Sequence, residues 1–175
     1  LVVLALALGL TPAIRLSAAA TASAAETEAV RFPSGVTSYQ AQCPICKTNA
    51  TWKPYNGEND SDNPLQGSAH LYLDKDQTYG AGKTFLVAYS TTCFNLNGYN
   101  ITAEEGAKYA FAGAGTMRFM DTYGGSVVAG YSSNAAATAL HANSSVAKYY
   151  IYGGTWTKTA TSADTSTVVR LSTKG

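Results

Sequence analysis

Cys43-Pro44-Ile45-Cys46 puts two thiols on one tight turn, a spacing shared by redox motifs, small disulfides and half of a zinc site. Thioredoxin-like chemistry needs a βαβ setting around the pair, and no such pattern surrounds this one. Zinc needs two further ligands. A second Cys pair is absent, so His70 and Cys93 would have to supply them. The leading reading is structural: Cys43 and Cys46 form a short disulfide or remain thiols in a cap, while Cys93 packs in the core ladder as a small hydrophobe. Zinc on Cys43 and Cys46 is the second reading.

Two other stretches imitate ligand loops. Tyr79-Gly80-Ala81-Gly82-Lys83-Thr84-Phe85 resembles the end of a phosphate-binding loop, but the glycine required five positions before Gly82 is Gln77. Gly80 and Gly82 read better as turn residues. Asn59-Asp60-Ser61-Asp62-Asn63 alternates carboxylates like the start of a calcium loop, yet Pro64 and Leu65 follow where a Gly and a later Glu are needed. A solvated loop is the first reading, with calcium as the alternative. No other cofactor is expected.

Catalytic constellations are hard to assemble. Glycoside hydrolysis needs two carboxyl groups about 5–9 Å apart. Glu104, Glu105, Asp121 and Asp164 do not fall at matching positions of successive repeats. His141 stands alone in sequence, and there is no G-x-S-x-G. Trp52, Tyr55 and Trp156 offer ring faces with polar edges that suit sugar stacking; the competing reading packs them in the core and cap.

The elements that must hold these residues are strands. Charged residues make up only 13% of the 175-residue chain, against 16 Gly, 12 Tyr and abundant Ser, Thr and Asn. That balance favours β-structure with tight turns, and 46% hydrophobic residues suffice for one core. Twelve basic residues are scattered singly among eleven acidic ones, which argues against a nucleic-acid partner.

Residues 1–10, LVVLALALGL, form an apolar run too short to span a bilayer. Ala22-Ser23-Ala24 then fits a signal-peptidase site, so residues 1–24 are expected to be a signal peptide, lacking its basic start and initiator Met. Only Arg15 of the basic residues precedes that site, leaving eleven against eleven acidic and a net charge of zero. Export to the cell surface or exterior follows as an expectation, without membrane insertion after cleavage. The alternating run STVVRLSTKG at the end suggests a segment of a longer protein.

Alternation recurs. Leu96-Asn97-Gly98-Tyr99-Asn100-Ile101-Thr102 aligns with Tyr152-Gly153-Gly154-Thr155-Trp156-Thr157, with further runs around Phe119 and Val168–Leu171. Leu96 to Phe119 spans 23 positions and Phe119 to Ile151 spans 32. Such a period, varying with loop length, predicts a parallel β-solenoid, in which no turn can bury its apolar face alone. Asn97, Gly98, Gly153 and Gly154 are assigned to its corners, where positive φ is tolerated. An antiparallel β-sandwich, with Gly124-Gly125 and Gly153-Gly154 as hairpin turns, is the alternative.

The series CPIC, TNATW, HLYLDKD, CFNLNGYNIT, MRFMD and YIYGGTWT resembles the N-terminal part of right-handed parallel β-helix regions in large exported surface proteins of Gram-positive gut bacteria. The resemblance runs from Cys43 to Gly175, with LNGYNIT its most specific element. It implies fold and export and says little about activity. The expected layout is a leader at 25–40, an N-terminal cap with first strands at 41–92, and β-helix turns at 93–175. Ala103–Ala110 is the one short helix expected. Two functions fit: a non-enzymatic stalk or adhesin segment facing glycan or host surface, or a fragment of a polysaccharide lyase or glycoside hydrolase with its catalytic turns elsewhere. Nothing in the sequence sets the oligomeric state.

Overall fold

The computed structural model describes residues 31–130, 138–159 and 169–171, so the signal-peptide assignment and Asp164 lie outside the described residues. Three sheets run along one coil. The first contains β1 (Tyr39–Gln42), β2 (Asn49–Pro54), β3 (Ala69–Tyr72), β6 (Thr92–Asn95), β9 (Thr116–Met120) and β12 (Lys148–Ile151), in that order. The second contains β4 (Gln77–Tyr79), β7 (Asn100–Ala103), β10 (Ser126–Ala129) and β13 (Thr155–Lys158). The third contains β5 (Leu86–Ala88), β8 (Tyr109–Gly113), β11 (Thr138–Ala142) and β14 (Val169–Leu171). Every pairing is parallel except β1 with β2. Each strand therefore stacks on its counterpart one turn earlier, giving a β-solenoid of roughly three turns.

Register explains why these residues repeat. Leu71, Phe94 and Phe119 form one inward row, with Ile151 next in register but exposed; Ile101, Val127 and Trp156 form another; Leu86, Phe111 and Leu140 form the third. Alternate side chains of a strand share a face, so the period-2 pattern sends one set into the narrow core and the other outward. Phe94, Phe111 and Phe119 are fully buried there. Their edge-to-face and tilted contacts continue to Tyr55, Phe85 and Trp156.

The sandwich alternative is excluded by the parallel ladders. Gly124-Gly125 and Gly153-Gly154 turn corners between neighbouring sheets. Gly98 and Gly154 hold φ of 79° and 84°, as corner residues should. The two stretches aligned in sequence occupy equivalent strands, Ile101 and Trp156 falling in one row through Val127. The first repeat distance was two residues out, because Phe94, not Leu96, aligns with Phe119.

Ala103–Ala110 forms no helix. The corner must close between β7 and β8, and the preceding turn already claims its backbone: Gly82 N–H donates to Gly106 C=O and Lys108 N–H to Lys83 C=O. The coil also begins before residue 93, since β3, β4 and β5 complete a turn by Ala88. The stretch read as a leader contributes β1 and buries Phe32. The open end of the core is covered by the irregular segment after β2. Tyr55 is buried and donates to Phe85 C=O at 2.9 Å, while Leu65 exchanges backbone bonds with Val87 and Tyr89. This segment pairs the edge of β5 and removes it as an aggregation template.

Asp121 ties two turns together. One carboxylate oxygen accepts Gly98 N–H at 2.7 Å, and the other accepts the N–H groups of Tyr123, Gly124 and Gly125. Charge-assisted bonds of this kind contribute more than neutral ones. Asp121→Ala is expected to lower stability by about 2–3 kcal/mol and Asp121→Asn by roughly half as much, measured by urea unfolding.

Candidate metal centre

The outer face of the first sheet carries a second, smaller core. Its central row is Trp52, His70, Cys93 and Arg118, each paired in register with the next. The chain from Arg31 to Phe32 crosses this face at one end, where Phe32 packs on Tyr39, Trp52 and Tyr72. At the other end, the turn between β1 and β2 folds Cys43 and Cys46 onto it.

That turn is built to present sulfur. Cys43 N–H donates to Thr48 C=O and Lys47 N–H to Cys43 C=O, closing the loop through Lys47 at φ 59°. The Cys46 N–H points at Cys43 Sγ from 3.5 Å. Cys46 Sγ lies 3.3 Å from His70 Nε2 and 3.1 Å from the Thr48 hydroxyl. Ligand atoms of Cys43, Cys46, His70 and Cys93 all lie within 4.8 Å of one another. Cys43 and Cys93 are buried, while Cys46 and His70 are part-exposed.

All three cysteines are free thiols. Cys93 belongs to this outer cluster, beside Phe94 of the inner core but facing the opposite way, so it is not part of the core ladder. The thiols differ electrically. Burial pushes Cys93 up to about 12, reinforced by Cys43 and opposed by Arg118. Burial also raises Cys43, against the N–H groups of Cys46 and Ile45. At Cys46, burial is outweighed by hydrogen bonds with Thr48, His70 and Cys43, which bring it down to about 6. A low thiol beside an imidazole is a reactive nucleophile if left bare. With two more sulfurs in reach it is also a ligand set.

The remaining sequence candidates are placed as follows. Trp52 and Tyr55 are fully buried and offer no face to a sugar. Trp156 packs on Phe119 and Phe111, its indole N–H donating to Gly153 C=O at 3.1 Å. Asn97 is a buried corner residue at φ 55°. Lys83 Nζ bridges Asp60 at 2.7 Å and Asp62 at 3.3 Å, the two carboxylates on which the calcium reading rested. His141 stacks flat on Tyr109 with ring centroids 4.1 Å apart.

The zinc reading of the sequence already required Cys46 and His70 to meet, but it stood second because the residues lie in different elements. A signal existed: His70 and Cys93 are separated by one turn length, so a coil stacks them beneath a cap that carries Cys43 and Cys46. Comparison of the chain with known protein families, curated proteins and solved structures finds no match.

Proposed function

We propose that the chain is part of an exported, non-enzymatic surface module, a rigid β-solenoid stalk or adhesin segment that presents its outer faces to glycan or a host surface. The observation that supports this most is the use of two coil carboxylates. Asp121 holds four backbone N–H groups, and Asp76 holds the Asn100 N–H and side-chain amide across successive turns. Acids spent on turn-to-turn bonding are not poised as a catalytic pair. The signal-peptide pattern, the net charge and the likeness to exported surface proteins of Gram-positive gut bacteria agree with this reading.

A shallow groove of about 240 Å³ supplies the contact surface. Tyr89, Tyr109, Lys108, Thr84, Ser61 and Asn143 are among its lining residues. Tyr89 is 45% exposed. Its volume is below that of enclosed small-molecule pockets, and its aromatic and polar lining suits one face of a sugar.

The test is binding of the purified full chain to a panel of plant glycans, host glycans and mucin. Saturable binding is expected, weakened roughly 10-fold by Tyr89→Ala combined with Lys108→Ala. Binding to no member of the panel, together with unchanged adhesion of cells lacking the segment, would contradict the proposal.

A further inference from the structure

We propose that Cys43, Cys46, His70 and Cys93 bind one Zn²⁺ ion, which staples the N-terminal hairpin to the first two turns of the coil.

The donor set is the first reason. Three sulfurs and an imidazole nitrogen form a Cys₃His sphere, the composition of closed structural zinc sites. Tetrahedral zinc with Zn–S near 2.3 Å sets its sulfurs about 3.8 Å apart. Donors already within 4.8 Å of one another need to shift by only about 1 Å to surround the metal.

Placement is the second reason. Cys43 and Cys46 come from the β1–β2 turn, His70 from β3 and Cys93 from β6. One ion therefore joins a local hairpin to two stacked strands. Without it, the hairpin is held to this part of the face by the β2–β3 ladder and a small apolar cluster. All four positions are filled by protein, so the site is structural and has no open coordination position.

The surroundings are the third reason. Zinc with three thiolates and a neutral imidazole carries one net negative charge. Arg118 is paired with Cys93 in the next strand and supplies a compensating positive charge. The Cys46 N–H reaches toward Cys43 Sγ and the Thr48 hydroxyl toward Cys46 Sγ. Outer hydrogen bonds of this kind orient the ligands and temper their charge. Binding is a ligand exchange without electron transfer: each thiol surrenders its proton to solvent as its S–Zn bond forms.

The test uses the full chain purified without chelators. One zinc per chain is expected, and replacement by cobalt(II) should give strong thiolate-to-cobalt bands in the near ultraviolet with intense tetrahedral bands in the visible. Cys93→Ser and His70→Ala should each weaken cobalt binding by more than about 100-fold, and Arg118→Gln by about 10-fold. Zinc should also protect Cys46 from iodoacetamide. The proposal is overturned by a reduced chain that retains no zinc and develops no thiolate–cobalt bands. It is overturned equally by a Cys43–Cys46 disulfide in the untreated protein, seen as a mass lower by two hydrogens, or by Cys46 alkylation that zinc does not slow. If a ligand variant fails to fold, the metal count and cobalt spectrum of the unsubstituted chain decide.

Discussion

Phe111→Ala is expected to destabilise the coil by about 4 kcal/mol. Phe111 sits at the centre of the inner core, fully buried, with ring centroids 4.6 Å from Phe119, 5.2 Å from Phe94, 5.8 Å from Trp156 and 6.0 Å from Phe85. Truncation loses the burial of a large ring and opens a cavity. The cavity closes poorly because β8 is locked on both sides, by β5 and by β11. Phe111→Leu retains much of the volume and should cost roughly 1–2 kcal/mol. Urea unfolding should show a lower midpoint with an unchanged slope. A loss below about 1 kcal/mol for Phe111→Ala would mean that the inner core is loosely packed.

Asn97→Ala is the second large effect, about 3 kcal/mol, and it acts by releasing the N-terminal strap. The buried Asn97 side chain accepts Phe32 N–H at 2.9 Å and donates to the carbonyls of Phe32 at 3.1 Å and Leu73 at 2.9 Å. Its own N–H donates to Asn95 Oδ1 at 2.8 Å, and its carbonyl accepts Arg31 Nε. Alanine strips three side-chain bonds from groups sealed against water and leaves a Cβ at φ 55°, where asparagine is better tolerated. Asn97→Asp should be as damaging, because a carboxylate would face two carbonyl oxygens. Hydrogen exchange at the Phe32 amide reads the effect directly. It should accelerate to the rate of an unpaired segment in the alanine variant, and unchanged protection would show that other contacts hold the strap.

Much of the coil was legible because its physics is local and repeated. Ile101, Val127 and Trp156 occupy equivalent strand positions, and the glycines after Asn97 and Gly153 mark corners by their backbone freedom. Leu96 was misaligned with Phe119 because an apolar corner residue looks like a strand residue. It is buried with Phe94 yet lies beyond β6. Ala103–Ala110 has helix-forming composition, and the preceding turn overrides it by taking the corner's backbone groups. Trp52 kept a sugar platform as its second reading beside packing in the core and cap, since alternation fixes that residues share a face and not what covers that face. Phe32, distant in sequence, is what covers it. The four metal-site residues were named as a possible set, but their convergence depends on a hairpin folding back over two turns.

The most direct measurement for the proposed non-catalytic surface role is the chain length of a bound glycan. The full chain is incubated with each polysaccharide or mucin glycan that it retains, and products are followed over time by size and by new reducing or unsaturated ends. Retention with unchanged chain length is the expected result. Time-dependent shortening that scales with protein concentration would contradict it and identify a glycan-cleaving enzyme instead.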